Sequence, residues 1–189
     1  TILCDGTTMS SSSESGLFGQ KSSSLNYYVT AARLAPVRSG AYAFMYCYSI
    51  KTITIPHGMT QTYGAFIYGT RSLECLIFPT GTTNIGSSIA RGATGLKTMV
   101  IPYGVTAGAS CFRSATCLEY AVMPLTKTGA SGTYYYYTTN VKRIVNATTT
   151  IPAQFANTVS MLEEVICTGN ITSVGANAFP NCYQKMVID

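Results

Sequence analysis

Apolar and polar positions along this chain keep a beat of about 23 residues. The segments Ile50-Lys-Thr-Ile-Thr-Ile-Pro56, Leu73-Glu-Cys-Leu-Ile-Phe-Pro79, Leu96-Lys-Thr-Met-Val-Ile-Pro102 and Leu118-Glu-Tyr-Ala-Val-Met-Pro124 share one pattern. Their prolines are spaced by 23, 23 and 22 residues, and the apolar opener recurs without a proline at Val141 and Leu162. The third and fifth residues after each opener are apolar, the alternation of a strand with one buried face. Strands are therefore expected near 51–55, 74–78, 97–101, 119–123, 142–146 and 163–167. Their inward residues are Ile53 and Ile55, Leu76 and Phe78, Met99 and Ile101, Ala121 and Met123. A unit of this length cannot bury its own apolar face, so successive units must stack into a solenoid.

The other half of each coil has a different rhythm. Phe44-Met-Tyr-Cys47-Tyr-Ser-Ile50 and Phe112-Arg-Ser-Ala115-Thr-Cys-Leu118 read aromatic-x-x-small-x-x-aliphatic. Tyr135 falls in the column of Phe44, Phe112 and Phe179 and is expected inside. Pro-x-Gly follows three strands, at Pro56/Gly58, Pro79/Gly81 and Pro102/Gly104, which suits tight corners. Residues 1–38 lack the beat and carry two serine clusters. They are expected to form an N-terminal cap or linker, with the solenoid of six to seven coils occupying 39–189. At the other end, the return-half spacing puts Ile188 in the column of Ile53 and Met99. The core layer there then needs further sequence or an end-on contact that covers Met186 and Ile188.

Period-two alternation sends the fourth residue after each opener to the outer face of the sheet. That column reads Thr54, Ile77, Val100, Val122, Val145 and Ile166. Two readings stay open: β-branched side chains stacking as a ladder, or a sheet covered on both faces by a partner, a subunit or the N-terminal segment. The column after the opener alternates strictly in sign: Lys51, Glu74, Lys97, Glu119, Lys142, Glu163. Each exposed pair is worth about 0–1 kcal/mol, but slipping one coil past its neighbour would bring like charges together.

Only 10% of the 189 residues are charged, against roughly 25% in ordinary soluble domains. The net charge of +5 is spread thinly, without the clustered stripe that nucleic-acid binding needs. No apolar run reaches the length of a membrane-spanning helix. The chain begins at Thr1 without a signal-like pattern, which leaves a removed signal and a fragment both open. Seven cysteines stand at 4, 47, 75, 111, 117, 167 and 182. Cys47 and Cys182 share a column but would lie about 29 Å apart across six coils, too far to bridge. Cys111 and Cys117 are close enough in sequence to meet, without zinc-type spacing.

Catalytic material is sparse. The single histidine, His57, sits in a Pro-His-Gly corner and lacks a nucleophile motif around it. No phosphate loop, HExxH or EF-hand pattern occurs, and no cofactor or metal is expected. Asn146-Ala-Thr148 and Asn170-Ile-Thr172 match the N-glycosylation sequon. The run Tyr134-Tyr-Tyr-Tyr137 is a candidate recognition patch, with Tyr134 or Tyr136 facing outward near Tyr120 and Arg143 on the sheet.

The series Ala43-Phe44-x-x-Cys47-x-x-Ile50-x-x-Ile53-x-Ile55-Pro56 resembles the BspA-like leucine-rich repeat family, as does Asn170-Ile-Thr-Ser-Val-Gly-Ala-Asn-Ala-Phe179-Pro-Asn-Cys182. The likeness covers about 39–189 and degenerates at 125–140 and 146–152. It implies a fold of the leucine-rich-repeat α/β type, mostly β: one right-handed solenoid with a long parallel sheet and irregular return segments. It also implies a secreted or surface-displayed protein, with no shared catalytic residues. The expected function is non-catalytic adhesion or protein recognition through the concave sheet, with Ile77, Val100, Val122, Val145, Ile166, Tyr120, Arg143, Tyr134 and Tyr136 as contact residues. The expected partner is a protein or glycoconjugate on another cell or host surface, not nucleic acid and not a membrane interior. Self-association through the sheet or the open end is a further expectation. The alternative role is structural: a spacer or subunit contact within a larger surface or phage tail assembly.

Overall fold

The computed structural model of the protein describes residues 2–3, 31–33, 41–123, 125–128, 137–146, 149–168, 170–181 and 186–188. These residues hold no helix. Their strands are, in chain order, β1 (Ile2–Leu3), β2 (Ala31–Arg33), β3 (Thr52–Thr54), β4 (Gln61–Thr62), β5 (Cys75–Ile77), β6 (Asn84–Ile85), β7 (Thr98–Val100) and β8 (Val105–Ala107). There follow β9 (Tyr120–Met123), β10 (Leu125–Thr128), β11 (Arg143–Asn146), β12 (Thr150–Ile151), β13 (Glu164–Cys167), β14 (Ser173–Val174) and β15 (Met186–Ile188).

All pairing is parallel, one coil on the next. Six strands form a sheet in the order β15-β13-β11-β9-β7-β5. Its register aligns Leu76, Met99, Ala121, Ile144, Val165 and Met186 in one column. This is the stacking that the apolar beat requires, and it brings the strands out within a residue of their expected places. From Leu76 to Val165 this column is at most 1% exposed, so it forms the axis of the core. The column two residues on carries Phe78, Ile101, Asn146 and Cys167, also buried. Asn146 thus replaces a hydrophobe inside the stack.

The last strand departs from the expected spacing. Met186, not Ile188, pairs with Val165, and Ile188 pairs with Cys167. Each earlier coil takes nine residues from the return column of Phe44 and Phe112 to the inward strand column of Ile53 and Ala121. The final one takes seven, from Phe179 to Met186. Extending the return-half rhythm into the strand therefore misplaces Ile188 by one inward position.

The return halves are more regular than their composition suggests. Within a coil, Cys47 N–H donates to Phe44 O at 3.2 Å and Ile50 N–H to Cys47 O at 3.3 Å. Ala93 on Ala90, Leu96 on Ala93, Ala115 on Phe112 and Leu118 on Ala115 repeat this three-residue step. Such a chain of turns brings every third residue inward, which is why the aromatic, small and aliphatic positions are three apart. Between coils, the N–H groups of Phe44, Ile67 and Ala90 donate to the carbonyls of Phe66, Ile89 and Cys111 at 2.8–2.9 Å. The backbone polar groups of the loop thus find partners in the next loop instead of in water.

These turns use left-handed backbone in two columns. One comprises Tyr42, Ala65, Ser88, Ser110, Gln154 and Asn177; the other Tyr46, Gly69, Gly92, Ser114 and Tyr137, with φ from 52° to 70° overall. At the corners, Gly81 and Gly104 have φ of 99° and 85°, whereas Gly58 keeps an ordinary φ. A second ladder follows the corners, ordered β10-β8-β6-β4, and β12 pairs with β14. Its two-residue strands β4 and β6 carry one buried residue each, Thr62 and Ile85, too brief a signal to register as strands in sequence.

Ahead of these coils, β1, β2 and β3 form a separate three-stranded sheet, with Ala32 opposite Ile53. Part of the segment assigned to the cap thus supplies strands in the same column as the repeats.

Candidate functional site

The outer face of the six-stranded sheet is built by two columns. One runs Cys75, Thr98, Tyr120, Arg143 and Glu164; the other runs Ile77, Val100, Val122, Val145 and Ile166, with Val187 next in backbone register. The second is the aliphatic stripe expected from sequence, now in continuous register. Ile77 is 59% exposed because it lies on the terminal strand of the sheet. Val100, Val122, Val145 and Ile166 are half-buried, since each has a branched neighbour on either side. The stripe is therefore partly self-covered, with its outermost methyl groups facing solvent.

Beside it, Tyr120 and Arg143 occupy adjacent register positions, and both are exposed. Arg143 Nε forms an ion pair with Glu164 on the following strand. The structure therefore brings Tyr120, Val122, Arg143 and Val145 together on neighbouring strands β9 and β11. Tyr134 and Tyr136, the other expected contact residues, lie outside the described residues, as do Tyr135 and Cys182.

The alternating charges border this face. Backbone hydrogen bonds join Lys97 to Glu74, Glu119 to Lys97, Lys142 to Glu119 and Glu163 to Lys142 at 2.8–2.9 Å, so the column is unbroken from 74 to 163. Side chains close it pairwise: Lys97 Nζ to Glu74 Oε2 at 3.2 Å, and Lys142 Nζ to Glu119 Oε2 at 3.3 Å. The hydrogen bond to Glu119 raises the Lys142 ammonium above its ordinary pKa, with that carboxylate's charge adding to it. In both pairs each lysine reaches back to the preceding coil.

Among the described residues the strand face is interrupted once. β3 and β5 belong to different sheets and exchange no hydrogen bonds. A cleft of about 340 Å³ opens between them, lined by Ile53, Thr54, Ile55, His57, Cys75, Ile77 and Pro79. Ile53 and Ile55 are 8% and 9% exposed there, against nearly zero for their counterparts further along. No sequence signal marks this break, because the coils on either side keep the full 23-residue spacing. His57 and Cys75 line the cleft, but the described residues hold no cluster of three metal-binding side chains.

Cysteine chemistry divides by depth. Cys47, Cys111 and Cys167 are buried free thiols, while Cys75 and Cys117 are exposed free thiols. Burial pushes Cys47 and Cys111 up to about 12. Cys111 Sγ donates to Gly108 O at 2.9 Å. Cys111 and Cys117 are not joined. The sequons divide likewise: Asn146 is fully buried in β11, whereas Asn170 is exposed.

The model of the BspA type leucine rich repeat region matches residues 21–142 and 125–188, in six copies. Among curated proteins none matches. Two solved structures share the fold. The leucine-rich repeat protein TpLRR of T. pallidum has a TM-score of 0.55 and 22% identity over 82% of this chain and 64% of its own. A leucine-rich repeat protein of Bacteroides ovatus has a TM-score of 0.54 and 21% identity over 84% of this chain and 48% of its own. This chain thus spans less than two thirds of either, and at such identity the likeness speaks to fold alone.

Proposed function

The chain belongs to the BspA-type leucine-rich repeat family, and from that premise we propose that it is a non-catalytic recognition module, secreted or surface-displayed. It binds a protein partner through the strand face of its solenoid. The observation that carries this reading is the aliphatic stripe Ile77 to Ile166, in register over five coils and flanked by exposed Tyr120 and Arg143. Residues of this kind, an apolar strip with aromatic and arginine neighbours, are the usual energetic centre of a protein interface. Low charge content and family membership support the extracellular setting.

The test replaces Val100 and Val122 by Lys together. Both point outward, so the fold should persist, while two ammonium groups on the strip make its desolvation by a partner prohibitive. Wild type and variant are compared on an array of purified extracellular proteins, with light scattering on each alone. Proteins held by the wild type and released by the variant support recognition. Equal binding of every protein by both chains refutes it. A stable wild-type oligomer that the substitutions dissociate refutes it in favour of an assembly contact.

A further inference from the structure

The return loops carry a different surface, bordered at Arg71 by the strand side, where Arg71 lines a cleft with Lys51, Ser72, Glu74 and Cys75. From residue 15 to residue 162 the only carboxylate side chains are Glu74 and Glu119. Both stand on the strand side, and both are paired with lysines. The return loops of the first three described coils hold Arg71 and Arg91 with no acid among them, and Arg113 follows Arg91 in the next coil. The backbone bonds Gly69 to Arg91 and Gly92 to Arg113 put these arginines on successive layers, about 4.8 Å apart.

Tyrosines organise the charge. The Arg71 guanidinium lies 4.2 Å from the ring centre of Tyr48, and that of Arg91 lies 5.6 Å from the ring centre of Tyr68. Tyr46 joins the two, its ring 6.0 Å from Tyr48 and 5.5 Å from Tyr68 at right angles. Tyr46 in turn lies against Gly69, where any Cβ would come within 2.6 Å of the ring. The result is a continuous row, Arg71–Tyr48–Tyr46–Tyr68–Arg91. Burial, and then the neighbouring Tyr68, raise the Tyr46 phenol above its ordinary pKa.

We propose that this row binds an acidic polysaccharide, one that carries carboxylate or sulfate groups on its sugar rings. A guanidinium stacked on a ring uses only its flat face. Its in-plane N–H groups stay available, held in the fork that matches a carboxylate or sulfate. Tyrosines between the two forks offer ring faces and edges to the C–H side of a pyranose and hydroxyls to its polar edge. The loops themselves carry no acid, and Glu74, which shares a cleft with Arg71, is paired with Lys97, so an anionic chain meets little repulsion. Nucleic acid is disfavoured by geometry: sequence-tolerant strand binding uses successive open ring faces and a dense cationic groove, while these rings stand tilted or edge-to-face to one another, with one arginine at each end. The aliphatic stripe takes no part, so this site stands or falls apart from the proposed protein contact.

The experiment measures binding of the whole chain to chondroitin sulfate and to polygalacturonate by affinity electrophoresis. Neutral dextran, polyglutamate and a single-stranded DNA oligomer serve as comparisons. Binding to one or both acidic polysaccharides is expected at low salt and is expected to weaken in 0.5 M salt. Arg71→Gln with Arg91→Gln should weaken it at least tenfold, and Tyr48→Leu should weaken it measurably with all charges kept. Val100→Lys with Val122→Lys should leave it intact. No binding to either polysaccharide, full retention in the arginine variant, or equal affinity for polyglutamate or DNA would overturn the proposal.

Discussion

Three substitutions in one column of left-handed residues separate backbone strain from packing. Tyr46, Gly69, Gly92, Ser114 and Tyr137 hold equivalent places in five coils, with φ between 58° and 70°. Residues with a Cβ occupy this region at about 1–2 kcal/mol, while glycine there gives up about 0.5–1 kcal/mol in the entropy of the unfolded chain. Ser114→Gly should therefore stabilise the protein by roughly 0.5 kcal/mol. Gly92→Ala reverses the exchange: a Cβ there meets nothing closer than 3.7 Å, so it should cost roughly 0.5–1 kcal/mol and no packing strain. Gly69→Ala shares the backbone term, but its Cβ overlaps the Tyr46 ring at 2.6 Å. Overpacking of that kind adds about 1–3 kcal/mol.

In a chain of this length about 1 kcal/mol moves the melting temperature by roughly 2–4 °C. Differential scanning calorimetry should therefore give the order Ser114→Gly, wild type, Gly92→Ala, Gly69→Ala, from highest to lowest. The last should fall about 3–16 °C below wild type. Equal losses for the two glycine variants would show that the Tyr46 ring yields freely. A destabilised Ser114→Gly would refute the strain argument itself.

The thiols and the sequons give two further expectations. A chromogenic disulfide reagent at pH 8 should modify Cys75 and Cys117 quickly and leave Cys47, Cys111 and Cys167 until unfolding; fast reaction at Cys47 or Cys111 would contradict their burial. Because the folded thiols of Cys47 and Cys111 titrate near 12, their contribution to stability is complete below about pH 8.5 and declines from there towards pH 12. Urea midpoints should fall over that window, and less in the Cys47→Ala, Cys111→Ala variant. Expressed in a host that glycosylates asparagine, the chain should carry glycan at Asn170 and none at Asn146, as peptide mass spectrometry would show.

The strand register was legible because each coil repeats the same two inward positions, so Leu76, Met99 and Ile144 could be aligned by counting. The count misled only where a coil changes length after its return half, between Phe179 and Met186. The return ladder was less legible. Its two-residue strands contribute a single buried side chain, and the left-handed positions accept Tyr, Ser, Ala, Gln and Asn as well as Gly. Of the candidate contact residues, the aliphatic stripe follows from alternation alone. The row of Tyr46, Tyr48, Tyr68, Arg71 and Arg91 does not: its members come from three columns of three coils, and only the inter-coil hydrogen bonds bring them side by side. The sequence does hold one clue to it, the lack of acids in those loops.

The missing bonds between β3 and β5 have a mechanical consequence. Most seams between coils are fastened on both flanks, but this one retains only the return-side pairs, such as Phe44 with Phe66, and those near Thr60 and Thr83. A rod fastened on one flank flexes on the other. The arc of the strand face is therefore set stiffly from β5 to β15 and compliantly where β3 meets β5, where closing about 340 Å³ of cleft would tilt everything before it. A ligand that bridges Thr54 and Ile77 would feel that compliance as an adjustable radius, and one confined to Val122 and Val145 would meet a rigid wall.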